Sequence, residues 1–253
     1  MVNQCEIDIE LSPNESNFLI IAEQVAGAPP LPRYHLEVLA CKMYVKKVEL
    51  MDSLAFDINK KLELHPAQYP MRKSSMRAIF ISENRTEYNG SLWNDQVPKR
   101  VVLAMLSNAN FVGTQTSSPF DFRHFNVREI SICASGVITP AAPYNLDFPN
   151  WKFSRAFHDM QEACGFAGSL ESNGISMNRY ANGGCCFFVL NLTNSGEDNG
   201  PETFDLIRNG ATTIKVTFNQ PVPAGGIVLI AMGEHEAMLF LDRNRTVASD
   251  IQV

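Results

Sequence analysis

The residues best equipped for chemistry are Glu234, His235 and Glu236, with Asp242 shortly after them. Carboxylates and an imidazole at this density can ligate a divalent metal or move protons. On a strand, however, successive side chains point to opposite faces, so only Glu234 and Glu236 share a side. His158 and Cys164 stand six positions apart on a helix-like stretch and face different ways, which argues against a thiol–imidazole pair. Cys185 and Cys186 are adjacent and would also diverge on a strand, and no Cys-x-x-Cys occurs. Gly225-Gly226 precede an apolar strand-like run rather than a helix, so they read as a turn and not a phosphate loop. Gly183-Gly184 read the same way, before a strand at Cys185. Arg72-Lys73 with Arg77 is the closest approach to a basic patch, in a chain of net charge −6. That falls short of a phosphate-neutralising stripe. No phrase sets a nucleophile beside a base. The residues point to an architectural protein rather than an enzyme, with no metal, no cofactor and no direct sequence-specific contact to nucleic acid.

The chain has 253 residues, long enough to bury a substantial core and to hold one main domain with an extension. Six cysteines in this pattern fit small buried hydrophobes in a reducing compartment. Met1 to Glu6 lacks the basic and apolar regions of a signal peptide, and no run reaches the roughly 20 apolar residues of a membrane helix.

The elements that must position these residues are mostly strands. Cys5, Ile7, Ile9 and Leu11 alternate with acidic residues, Phe18 to Ile21 reads as a short strand, and Leu36 to Leu50 as a long one that slips near Cys41. Met51 to Leu64 has helical spacing, with Asp52 or Ser53 as its cap, and Pro66 and Pro70 stop it. Strands follow at Met76–Ile81, Arg100–Leu106 and Glu129–Ala134. A second helix spans Ser154 to Cys164, capped by Ser154 and ended by Gly165. Cys185–Leu192, Ile214–Phe218, Ile227–Met232 and Met238–Leu241 complete the strands. Short strands between turn-rich loops indicate an all-β antiparallel sandwich of the jelly-roll type with inserted helices.

The connection from Ser107 to Asn126 is long and carries Phe111, Phe120, Phe122 and Phe125. Aromatics in a loop need a surface to pack on, either the sandwich edge or a neighbouring subunit. Lys99-Arg100 opens a strand after Pro98, either as a solvated strand end or as an ion pair to a neighbour's carboxylate. Asp242, Arg243 and Arg245 read either as a charged chain end or as an interface network.

Several phrases together resemble the major capsid proteins of Polinton/Maverick elements and adintoviruses. They are Tyr69-Pro70, Gln96 through Val102, Pro119 through Asn126, the short strand near Gly136 with Pro140 after it, Phe218 with Pro221 and Pro223, and Asp242 through Val247. They occur in order over most of the chain. Two stretches depart from the pattern: the neighbours of Gly113, and Asn150 to Asn182. The resemblance implies a double jelly-roll lineage. Residues 1–50 would then be the closing strands of an incomplete first jelly roll, 51–67 a helical linker and 68–253 the complete second one. It also implies a structural protein that self-associates as a homotrimer in an icosahedral shell, located in the virion after assembly inside the host cell, with a penton protein as a further partner. The subunit interface expected on this basis comprises Phe111, Phe120, Phe122, Arg123, Phe125, Lys99, Arg100, Asp242, Arg243 and Arg245. Alternatives from the sequence are a stand-alone carbohydrate-binding sandwich, using Trp93 and Trp151 with Asn94, Asp95 and Asn150, or a capsid relative retained by a host.

Overall fold

Ile79 and Ile81 alternate with Ala78 and Phe80, and this period of two sets a sandwich: the isoleucines turn inward while their neighbours face out. The computed structural model describes residues 8–22, 34–193, 208–244 and 246–249. In chain order its elements are α1 (Ser16–Leu19), α2 (Asp52–Leu64), β1 (Ala67–Ile81), β2 (Glu87–Trp93), β3 (Arg100–Ser107), α3 (Asn108–Val112) and β4 (Val127–Ala134). There follow β5 (Val137–Thr139), α4 (Ser154–Ala163), α5 (Met177–Asn182), β6 (Phe187–Asn191), β7 (Thr212–Phe218), β8 (Ile227–Leu241) and β9 (Val247–Ser249).

Two antiparallel sheets form. Sheet A has the order β1-β8-β3-β6, with β9 added beside β8, and sheet B has the order β2-β7-β4-β5. The pairs β1·β8, β2·β7, β3·β6 and β4·β5 are nested one inside the next. A hairpin of four nested pairs, rolled so that alternate pairs fall in opposite sheets, is a jelly roll.

Between the sheets, Ile81, Val101, Leu103, Met105, Phe188, Ile227 and Leu229 of sheet A meet Ile130, Ile132, Ile214 and Val216 of sheet B, all at or near zero exposure. Each such side chain stabilises the fold by about 1.5–3 kcal/mol relative to exposure in water. Phe153, Ala156, Met160 and Tyr180 extend the core under α4 and α5, and α4 lies against β6, the edge strand of sheet A.

The structure corrects several local expectations. Among the described residues, 8–22 and 34–50 form no strand; Phe18 and Leu19 belong to α1, and Cys5 and Ile7 lie outside the described residues. Alternation alone does not make a strand without a neighbouring strand to bond, and among the described residues this stretch has none. Pro70 does not stop a helix but sits within β1, an edge strand of sheet A, the kind of strand that tolerates proline. Phe153, not Ser154, is the N-cap of α4, and Met51 that of α2. The two expected strands at 227–232 and 238–241 are one, β8, continuous through Gly233 to Ala237. The Ser107–Asn126 connection contains α3, capped by the Ser107 hydroxyl, which accepts from Asn110 N at 3.2 Å.

Candidate functional site

Three groups of residues singled out by chemistry meet where β8 runs past the end of β3. Arg100 is opposite Glu234 in the ladder. Its Nε and Nη2 donate to both Glu234 carboxylate oxygens at 3.1 and 2.8 Å, and its Nη1 donates to the Ala163 carbonyl at 3.0 Å. The guanidinium thus ties sheet A to the end of α4, in the two-pronged geometry that makes such pairs strong. Lys99 Nζ reaches Glu236 Oε1 at 3.1 Å, with both side chains buried at 5 and 8 % exposure. Lys99 and Arg100 therefore pair within the chain. They occupy neither a solvated strand end nor, in this arrangement, a neighbour's carboxylate. His235 turns to the other side: its Nε2 lies 2.9 Å from Ser75 Oγ and its ring meets Trp93 edge-on at 5.6 Å. Burial pushes its pKa below the ordinary 6.5, against the opposing pull of Asp95, with Lys73 adding to the depression.

The triplet Glu234–Glu236 is consumed by this clasp. Two carboxylates face two cations and the imidazole faces a hydroxyl. Ser75 and His235 form a hydroxyl–imidazole contact that sequence spacing missed, because 160 positions separate them and the β1–β8 register joins them. Ser75 sits in the unbroken β1–β8 ladder with Trp93 against its histidine, an arrangement that holds two strands together rather than presenting a nucleophile.

The aromatic loop packs largely on its own chain. Phe122 meets Phe187 of β6 at 5.1 Å and Phe120 at 6.4 Å, while Phe120 meets Phe18 at 6.0 Å. Backbone bonds from Phe122 N to Gly184 O (3.0 Å), Cys186 N to Phe122 O (3.1 Å) and Arg123 N to Met105 O (2.8 Å) stitch the loop to the sheet. Arg123 pairs with Asp121 at 2.7 Å and stays largely exposed. Phe125 packs against the core, and Phe111 and Phe120 remain exposed. His124 stacks on Phe148 at 4.0 Å and its Nδ1 accepts from Asn126 N at 2.9 Å; burial, with the nearby Arg123, lowers its pKa. Arg243 pairs with Glu63 of α2 at 3.5 Å, Asp242 accepts from Thr246 N at 2.8 Å, and Arg245 lies outside the described residues. Of the two tryptophans, Trp93 is buried and Trp151 is exposed.

The outer faces of the two sheets differ in kind. Across sheet B the outward rows are Glu87–Thr217–Glu129, Asn89–Lys215–Ser131 and Ser91–Thr213–Cys133. Across sheet A they are Phe80–Val228–Leu106, Ala78–Ile230–Ala104 and Met76–Met232–Val102. An antiparallel sheet that faces water carries polar residues there; sheet B does and sheet A does not. The loop and α3 cover Leu106, Ala104 and Val228, but along β1 the cover stops. Met76 is 66 % and Phe80 55 % exposed, beside Phe111 and a groove of about 330 Å³ lined by Ala78, Phe80, Asn108, Phe111 and Val228. This face is the best-defined candidate site.

No family model matches the chain. A curated relative, "Uncharacterized protein F54H12.2" of Caenorhabditis elegans, is 26 % identical over 253 residues, which is 99 % of this chain and 59 % of that protein. Similar solved structures include the Sputnik virophage structure (TM-score 0.43, 12 % identity, 74 % of this chain and 39 % of that one). The mavirus major capsid protein scores 0.40 at 8 % identity over 75 % of this chain and 42 % of that one. The PBCV-1 virus capsid scores 0.40 at 10 % identity over 74 % and 52 %. The chain spans less than two thirds of the length of each of these proteins.

Proposed function

We propose that this chain is a structural subunit of a protein shell of the viral capsid type, made to bind copies of itself rather than to catalyse. The supporting observation is the pairing of a jelly-roll frame with an outer sheet face that is apolar across three strands. A rigid sandwich supplies the scaffold and an unsatisfied face supplies the reason to associate. The phrases from Tyr69 to Val247 that resemble Polinton and adintovirus capsid proteins point the same way. On this reading the subunits close as trimers within a larger icosahedral shell, in a virion, with a penton protein at the vertices. Phe111, Phe120 and Arg123 are exposed and belong to the contact surface. Lys99 and Arg100 contribute by holding β3, β8 and α4 in shape. The sugar-binding alternative loses Trp93 to the core.

Light scattering after size exclusion, followed by negative-stain microscopy of the same fractions, tests this. Trimers or larger regular particles are expected. A monomer at every concentration reached overturns it.

A further inference from the structure

A cavity of about 310 Å³ lies under the aromatic loop, and its lining is unlike the apolar groove along β1. Ser107, Asn110, Ser117, Asp121, Arg123 and Phe125 line it, all of them among the described residues. A pocket of that size takes a small molecule or a side chain, and its convergent polar groups select which kind. Most of those groups face the cavity as donors. Asn110 is 8 % exposed, and its Oδ1 accepts from Ser117 Oγ at 2.7 Å, so what its carboxamide offers the cavity is N–H. The Ser107 hydroxyl oxygen accepts from Asn110 N at 3.2 Å, which leaves its proton to donate. Arg123 donates from Nε to Asp121 Oδ2 at 2.7 Å, a bond that leaves the two Nη groups as donors.

Asp121 does not cancel this set. Its carboxylate is held by Arg123 and lies close over Gly184, where an added Cβ would stand 2.6 Å from Oδ1. It therefore fixes the guanidinium from the Nε side, and donors held in place bind an acceptor with less ordering cost. We infer that this cavity is a carboxylate site. The Nη groups of Arg123, the Asn110 amide and the Ser107 hydroxyl hold the two oxygens, and Phe125 faces the apolar remainder of the acid. Hydrogen bonds to a charged acceptor are the strong ones, and a guanidinium matches a carboxylate in shape. One guanidinium that already shares its charge with Asp121 suits a single negative charge; a phosphate dianion would bring excess negative charge beside that carboxylate. The site stands apart from the self-association reading, because its donors are set by contacts inside one chain.

Saturation-transfer NMR on the full chain, with benzoate as the probe, tests this. Benzoate should bind saturably, and benzamide, the same shape without the charge, at least about tenfold more weakly. Arg123→Gln should cost about tenfold or more; its side chain is 66 % exposed, so the variant should melt with the parent. Asn110→Asp keeps the acceptor for Ser117 but replaces the donor with a negative charge, and should lose binding to the same degree. Arg243→Gln is the control. Ser107 pairs with Ile227 at the start of β8, whereas Arg243 follows the far end of that strand, so its loss should leave binding unchanged. No saturable binding by the parent, binding retained in Arg123→Gln, or an equal loss in Arg243→Gln overturns the site. The source of the natural carboxylate is read from oligomer size under saturating benzoate. A fall in size assigns it to an acidic side chain of a neighbouring copy, and an unchanged size to a free small acid.

Discussion

Replacing Lys99 with methionine removes the cation from a carboxylate that has almost no contact with water. The backbone of Lys99 is untouched by the change: its N–H still donates to Glu234 O and its carbonyl still accepts from Leu192 N, each at 2.7 Å. Methionine keeps most of the apolar stem. What changes is that Glu236, 8 % exposed, loses the ammonium 3.1 Å away. Breaking a buried pair from one side costs about 3–5 kcal/mol, because a charge is left in a poorly solvated place. For a chain of this size each kcal/mol lowers the melting temperature by about 2–4 °C, so the drop should be roughly 6–20 °C. Glu236→Leu alone should cost a comparable amount by stranding the ammonium. The two together should return to within about 1 kcal/mol of the parent, since apolar replacements of a whole buried pair are often neutral or better. Urea denaturation of the parent, both single variants and the double variant closes the cycle. If Lys99→Met costs less than about 1 kcal/mol, the pair is solvated and the clasp at the end of β3 is not as described.

Three further outcomes are expected. Thr212 is fully buried on the side of β7 shared with Ile214, with its hydroxyl unbonded, so Thr212→Val should raise stability by about 1 kcal/mol in urea melts; a loss would mean the hydroxyl is satisfied. His124 and His235 titrate below their ordinary 6.5, so the unfolded chain takes up protons first as pH falls; stability should be full above that value and decline below it until the folded-state pKa values are reached. His235→Phe should flatten part of that decline, and an unchanged slope in both denaturation series would refute the burial of the ring. Phe122→Ala should lower stability by about 2–3 kcal/mol through lost contact with Phe187 and Phe120, with oligomer size unchanged; the reverse pattern would place Phe122 at a subunit contact.

The inward faces of the sandwich were legible because each strand announces its own period: Ile214, Val216 and Phe218 need no knowledge of their partners to be read as buried. The jelly-roll class followed from strand spacing. Strands without that signature were missed or mistaken. Glu87–Trp93, interrupted by Asn89 and Gly90, carries no strand signature of its own, yet it pairs because β7 offers it a ladder. Residues 36–50 have the pattern and no ladder among the described residues. Lys99 and Glu236 are 137 positions apart, and nothing local marks a lysine after a proline as buried. The apolar outer rows of sheet A were equally hidden. Their members, such as Phe80, Val228 and Leu106, each look like ordinary strand residues, and only the register shows that they line up.

Beyond Glu234 the ladder loses β3, and from there to Leu241 it holds, among the described residues, β1 and β8, with β9 alongside its last rungs. Ala67 and Leu241 face each other at the far tip, so tension pulling them apart loads one rung at a time, as in opening a zip. Peeling should advance easily through the outer rungs and stall where the third strand joins. The Arg100 and Lys99 ion pairs stand at that junction, so they act as a mechanical stop. Stretching the molecule by its flanks should therefore give two force peaks rather than one, the second abolished along with the clasp.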